Sequence, residues 1–275
     1  MKFLKLLLDF YLNASIHVAL SVYMLVRITE FYFGLSYNEN LNYFIFYGTI
    51  TGYNFVKYAG VAKLHHRSLT NSLKIIQVFS FFCFLAMCFY AYQVPIKTLL
   101  YCIPLEMLTL LYAIPFLSGF HKNLREVSYL KIVVVALVWA GFTVLIPVLD
   151  TGLEFSLQLV FVAIQRFLIV VVLILPFDIR DVKYDAISLQ TIPKKIGIKQ
   201  TKKLGVALLV FILVIEFMSS PEIVTKAPFM IFFFLVLVLL MRAKINQPKY
   251  YSSLLVESLP IIWGLFLLGF HNFLT

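Results

Sequence analysis

Apolar residues run through this chain in blocks of about 20, separated by short connections that carry most of its lysines and arginines. Blocks of that length match α-helices that cross the roughly 30 Å hydrocarbon layer of a bilayer. The pattern predicts about nine such helices, over 14–33, 42–60, 74–92, 97–117, 129–149, 155–176, 203–219, 227–242 and 254–273. Sustained apolarity, instead of a period-two alternation, favours helices over barrel strands. Pro104, Pro147 and Pro260 fall inside these blocks and Pro115 near an end, which bundled membrane helices tolerate. Residues 1–10 mix Lys2, Lys5 and Asp9 with apolar residues and contain no small-residue cleavage site. They predict an amphipathic helix lying on the membrane surface and not a removed signal peptide. No Gly-rich linker or low-complexity tract divides the chain, so 1–275 reads as one all-α polytopic domain.

Composition agrees with this picture. Of 275 residues, 62% are hydrophobic and only 13% charged, with a mean hydropathy of +0.94, against about a quarter charged in soluble domains. A water-soluble enzyme, a secreted disulfide scaffold, a disordered tail and a coiled coil are excluded. The net charge of +10 follows from membrane topology and not from nucleic-acid binding. With the N-terminus in the cytoplasm, all of the 23 lysines and arginines fall in cytoplasmic connections except Lys97 and Lys226 outside and Arg27 and Arg166 within spans. That asymmetry sets the orientation of a multi-pass protein, in the inner membrane if the cell is bacterial. Cys83, Cys88 and Cys102 lie in apolar runs without metal-site spacing and read as small core residues.

Chemistry concentrates after the sixth span, where Pro176 to Gly197 reads PFDIRDVKYDAISLQTIPKKIG. Asp178, Asp181 and Asp185 are spaced by three and four, which puts their carboxylates on one helical face. Like charges so placed repel, and either a bound cation or basic partners opposite must answer them. Hard oxygen ligands of this kind suit Mg²⁺ when a diphosphate completes the coordination. A solvated helix of mixed charge accounts for the spacing equally well.

The wider context resembles the UbiA superfamily of intramembrane prenyltransferases. Its second aspartate-rich motif is matched by Asp178, Asp181 and Asp185, followed by Thr191, Ile192, Pro193, Lys194, Lys195 and Gly197. Tyr112 near the end of span four and Tyr129-Leu-Lys131 opening span five add a weaker likeness. The resemblance implies a helical bundle around a central cavity open to the cytoplasm. It implies transfer of a prenyl group from a prenyl diphosphate to a hydrophobic acceptor, with an aromatic one favoured. It implies Asp178, Asp181 and Asp185 as catalytic Mg²⁺ ligands, with Asn54, Lys57, Lys122, Arg125 and Lys194 around the diphosphate.

The first motif of that family departs from its pattern. Asn54 matches its asparagine, but Phe55 and Tyr58 stand where aspartates belong, and no acid occurs from Leu41 to Leu105. The region is basic instead, with Lys57, Lys63, His65, His66 and Arg67. A cation there replaces part of a metal's charge on a departing diphosphate, and Lys57, beside the missing aspartates, is the leading candidate; His65 and His66 read as interfacial anchors. His17, Arg27, Glu106, Arg166 and Glu216 lie within spans, where charge is costly and is paired or functional. Glu106 and Arg166, both near mid-span, are placed where they can form one buried pair, which either fixes helix packing or contacts substrate. The 28 Phe and 16 Tyr suit a prenyl tunnel and lipid-facing packing alike. The alternative to an enzyme is a non-catalytic relative that binds a lipid, a quinone or a protein partner; a transporter has no broken-helix pair or repeat to support it.

Overall fold

The computed structural model describes residues 2–64, 71–114, 130–183, 191–219 and 223–274. His65, His66, Arg67, Lys122, Arg125 and Asp185 lie outside the described residues, as does the side chain of Lys63. The chain forms α1 (Lys2–Asn13), α2 (Ile16–Phe33), α3 (Glu39–Leu64), α4 (Asn71–Ala91), α5 (Ile96–Ala113), α6 (Leu130–Ala140), α7 (Ile146–Asp150), α8 (Leu157–Asp181), α9 (Ile192–Ile196), α10 (Ile198–Ser219), α11 (Ile223–Arg242) and α12 (Leu259–Leu274). Two π-helical turns, Gly141–Leu145 and Tyr251–Val256, join α6 to α7 and lead into α12. No strand occurs among the described residues.

Each apolar block of the sequence falls on one of these helices or on a run of them. Among the described residues, seven are long and apolar enough to cross a membrane, which does not confirm the expected nine, and the protein is a multi-pass membrane protein by that measure. The blocks 42–60 and 203–219 fall on α3 and α10, which have the length but are more polar. Lys199, Lys202 and Lys203 crowd the start of α10, and Asn54 and Lys57 lie on α3.

The helices close a ring. α2 packs on α3 and α12, α3 on α4 and α5, α5 on α6, α6 on α8, α8 on α10 and α11, and α11 on α12. The densest packing lies on the α2–α8–α10–α11–α12 side, where the Trp263 and Phe232 rings stack at 4.7 Å beside Phe229, Leu25 and Leu175. The π-helical turn at Gly141 occurs where α6 passes closest to α5: a Cβ there would come within 2.5 Å of Leu105 Cδ1. α1 is amphipathic and exposes Phe3, Leu4, Leu6 and Leu7, as the surface-helix expectation requires. It meets α2 at a sharp corner where Ser15 takes a left-handed conformation (φ 62°), unusual for a residue other than glycine.

Within the spans, polar side chains find partners inside the bundle. Arg166 is fully buried; its Nη1 donates to the Leu25 carbonyl at 2.8 Å, Thr29 and Thr143 lie at 3.4 Å, and the guanidinium sits over the Trp263 ring at 5.5 Å. Glu216 accepts from Tyr32 Oη at 2.6 Å and Gln165 Nε2 at 2.7 Å. Arg166 and Glu106 therefore do not form the pair expected from their similar depth, because Arg166 faces α2 while Glu106 faces the interior of the ring. Hydrogen bonds to a charged group contribute about 1.5–3 kcal/mol. Arg166→Leu should lower stability by about that amount in SDS-induced unfolding, and Arg166→Lys should recover less than half, since a point charge lacks the planar donor fork.

Candidate active site

The ring encloses a cavity of about 990 Å³, at the upper end of the roughly 300–1,000 Å³ typical of ligand clefts. Most of its wall is apolar, with Val22, Phe44, Ile45, Val138, Phe142 and Leu173 drawn from α2, α3, α6, the π-helical turn after it and α8. One end is different. There Lys57, Lys131, Arg180 and Lys249 converge with Asp9, Asp181 and Glu257. Tyr53 and Trp139 stand between the two zones, joined by a hydrogen bond from Trp139 Nε1 to Tyr53 Oη at 2.8 Å.

The end of α8 carries the second motif, and its two described aspartates meet different fates. Asp178 turns inward, fully buried, and its Oδ1 accepts from Lys131 Nζ at 2.9 Å. Asp181 lines the cavity, and its two oxygens accept from Nε and Nη2 of Arg180 at 2.7 and 3.2 Å. Basic partners thus answer the repulsion that the spacing implied. Lys194 lies on the short α9, and neither it nor Asp178 nor Asn54 is among the residues that line the cavity.

The first motif region has a mechanical task. Asn54 Nδ2 donates to the Ala14 carbonyl at 3.0 Å and to Ser80 Oγ at 2.7 Å, while its Oδ1 accepts from Ser15 Oγ at 2.8 Å. Lys57 Nζ donates to Ser15 Oγ at 2.9 Å and the Leu12 carbonyl at 3.4 Å, and Tyr58 Oη donates to the Asn13 carbonyl at 3.0 Å. These residues grip the α1–α2 corner and hold Ser15 in its left-handed conformation. Two of the three ammonium protons of Lys57 are spent there; the third remains for the cavity, where Glu257 supplies an opposing charge. Phe55 lines the cavity where the family pattern has an acid.

α1 is held across the polar end. Asp9, Leu12 and Asn13 line the cavity, and Asp9 Oδ1 accepts from Lys249 Nζ at 2.5 Å and Tyr250 Oη at 2.8 Å. Glu30 and Glu257, not among the span charges named above, also lie within apolar blocks, 14–33 and 254–273, and are legible there by position alone. Glu30 bonds Arg27 and Asn42.

The metal implied by the family resemblance is tested by these donors. Among the described residues, no group of three or more His, Cys, Asp or Glu side chains is placed to hold a metal ion. Asp178 is turned away from the cavity onto Lys131, Asp181 is held by Arg180, and the opposing motif supplies no carboxylate. The described residues do not fit a metal centre as arranged.

No protein-family model and no curated protein matches this sequence. Solved structures share its fold. A UbiA homolog from Archaeoglobus fulgidus bound to GPP and Mg²⁺ superposes with a TM-score of 0.58 over 96% of this chain and 98% of that one, at 14% identity. The complex of a UbiA homolog from the same organism with DMAPP and Mg²⁺ gives 0.58 over the same shares at 13% identity. A structure described as digeranylgeranylglyceryl phosphate synthase gives 0.56 over 98% of each chain at 15% identity. The chain has the UbiA prenyltransferase fold.

Two expectations follow from this geometry. Lys131→Met removes the ammonium paired with the buried Asp178 carboxylate and should cost about 3–5 kcal/mol of stability; Lys131→Met with Asp178→Leu should recover most of it, read by SDS-induced unfolding. Asp178→Asn alone should destabilise, since no clustered repulsion remains to be relieved. The α1 latch should depend on pH. Hydrogen bonds from Lys249 and Tyr250 hold the Asp9 carboxyl below its ordinary 3.8, and Asp9 holds the Lys249 ammonium above its ordinary 10.5. The latch is therefore complete between these ordinary values and is lost as pH falls through the lowered Asp9 value or rises through the raised Lys249 value. Spin labels on α1 and on the connection before Tyr251 should report a short distance inside that window and a broad distribution below it.

Proposed function

We propose that this protein binds an isoprenoid diphosphate and transfers its prenyl group to a hydrophobic acceptor within the membrane. The observation that carries this reading is the graded wall of the cavity, which matches an amphiphile with a long apolar tail and a strongly anionic head. The tail lies along the apolar zone, and the diphosphate meets Lys57, Lys131 and Arg180. In the reaction the allylic C–O bond breaks with its electron pair leaving on the diphosphate. The acceptor's nucleophilic atom then bonds to the allylic carbon and releases a proton. Charge-assisted donors at the leaving group favour the first event, and the faces of Tyr53 and Trp139 stabilise the developing cation. Asp178 acts through Lys131, which it holds in place, and Asp181 does the same for Arg180. By the distribution of basic residues we assign the polar end and α1 to the cytoplasmic side.

A second reading has its own observation. Asp178 and Asp181 are both already neutralised by cations of the chain, as suits a protein that binds a lipid or quinone without transferring it. Thermal protection of the full chain in nanodiscs by geranylgeranyl diphosphate, with and without Mg²⁺, separates the possibilities, since ligand binding raises apparent stability by mass action. Protection without added metal is the expected result, together with radiolabelled product from a panel of phenolic and quinone-precursor acceptors. Lys57→Ala should weaken binding by about 1.5–3 kcal/mol, the range for charge-assisted hydrogen bonds. Protection that appears only with Mg²⁺ and is lost in Asp181→Asn would return the aspartates to the role of metal ligands. Binding without product would decide for the non-catalytic reading, and no protection at any Mg²⁺ concentration would discard the diphosphate.

A further inference from the structure

Most of the described acids within the spans bond a neighbouring side chain: Glu30 has Arg27 and Asn42, Asp178 has Lys131, and Glu216 has Tyr32 and Gln165. Glu257 has the charges of Lys57 and Arg180 near it. Glu106, near the middle of α5, makes no hydrogen bond and no ion pair with the described residues, yet it is exposed and lines the cavity. It precedes Tyr112, also on the cavity wall, by six residues, which places it about 9 Å further along the helix axis from the polar end. On its own helix Thr109 and Leu110 share the cavity wall with it, and the same wall carries Phe84 and Met87 of α4, Val138 of α6 and Phe142 of the π-helical turn. An unanswered carboxylate at membrane depth is costly and marks a functional position.

We propose that Glu106 recognises the head of the second substrate, and that this substrate is an uncharged amphiphile with a hydroxyl donor, a phenol or an alcohol. A carboxylate only accepts hydrogen bonds, so its complement is a donor. Exposed to the cavity, its negative charge disfavours a carboxylate or phosphate head beside it, which turns acidic acceptors away from this position and sends anionic groups to the cationic end. The cavity thereby has two polar poles of opposite sign, one for each substrate. α4 and α5 meet at the Tyr92–Pro95 turn, but α4 packs mainly on α3 and α5 on α6. The wall beside Glu106 is therefore the side from which a bilayer amphiphile reaches it.

The inference names the acceptor class and rests on the reading of the cavity as a prenyl-transfer chamber. Trp139 lines the cavity, whereas the other tryptophan, Trp263, is fully buried, so tryptophan fluorescence of the full chain in nanodiscs reports occupancy, with Trp139→Phe as the control for signal origin. The probes are 4-dodecylphenol and 4-dodecylbenzoate, which share a tail and differ in the head, with partitioning into empty nanodiscs subtracted. The wild type should bind the phenol at least about tenfold tighter than the benzoate, and Glu106→Gln should shrink that preference to about twofold, as expected for loss of a charged acceptor. Glu106→Leu should weaken phenol binding by about tenfold and should melt no lower than the wild type, because the carboxylate leaves no partner stranded. Equal binding of both probes, an undiminished preference in Glu106→Gln, or a marked loss of stability in Glu106→Leu would overturn the assignment. The assay needs no donor and no turnover, so head-group preference in a protein that forms no product would remove the transfer reading and leave this one standing.

Discussion

The ion pair between Lys131 and Asp178 joins α6 to α8 at the point where the apolar cavity becomes polar, and much of the site follows from it. A carboxylate with no access to water must be neutralised or paired. Asp178 is buried completely, and Lys131 is the cation that answers it. The pair in turn sets one corner of the cationic end, with Arg180 held by Asp181 one turn later on α8. Charges that the spacing of the motif would have offered to a metal are spent within the chain. The result is an end wall rich in ammonium and guanidinium groups whose orientation is fixed by acids behind or beside them, an arrangement that is preorganised for an anionic group.

The opposite wall shows the same exchange in another form. Asn54, Lys57 and Tyr58 occupy the region where the family resemblance implies acids, and here they clamp Leu12, Asn13, Ala14 and Ser15. A residue other than glycine in the left-handed region costs energy, and the hydrogen bonds to the Ser15 hydroxyl offset that cost. α1 is fastened across the mouth as a consequence. What the region has lost as a place for carboxylates it has gained as a hinge block for the surface helix.

The sequence disclosed the helices more readily than the site. Apolar blocks of spanning length are a one-dimensional signal, and every block falls on a helix; α3 and α10 were found by length and flanking charge although they are too polar to qualify alone. The amphipathic α1 was also legible, from the placing of Lys2, Lys5 and Asp9. The π-helical turns were not legible; at Gly141 the backbone lies close against Leu105 of α5, a tertiary contact that a linear pattern does not carry. Asp178 and Asp181 stood out by spacing, but whether each faced a metal or a cation depends on Lys131, 47 residues away, and on a side-chain rotamer of Arg180. Pairing Glu106 with Arg166 went wrong for the same reason. Depth in the membrane is readable from position along a span, whereas the direction a side chain faces depends on which helices surround it.

The fastening of α1 also orders the assembly of the molecule. A 12-residue helix is about 18 Å long, too short to cross the bilayer, so it waits at the interface once synthesised. Its corner cannot be completed until Asn54 and Ser80 have arrived on α3 and α4. Asp9 meets Lys249 only after 240 further residues have been made. α1 precedes the other described helices in the chain yet completes its contacts only after α11 has been made, and the chamber stays open on its polar side until then.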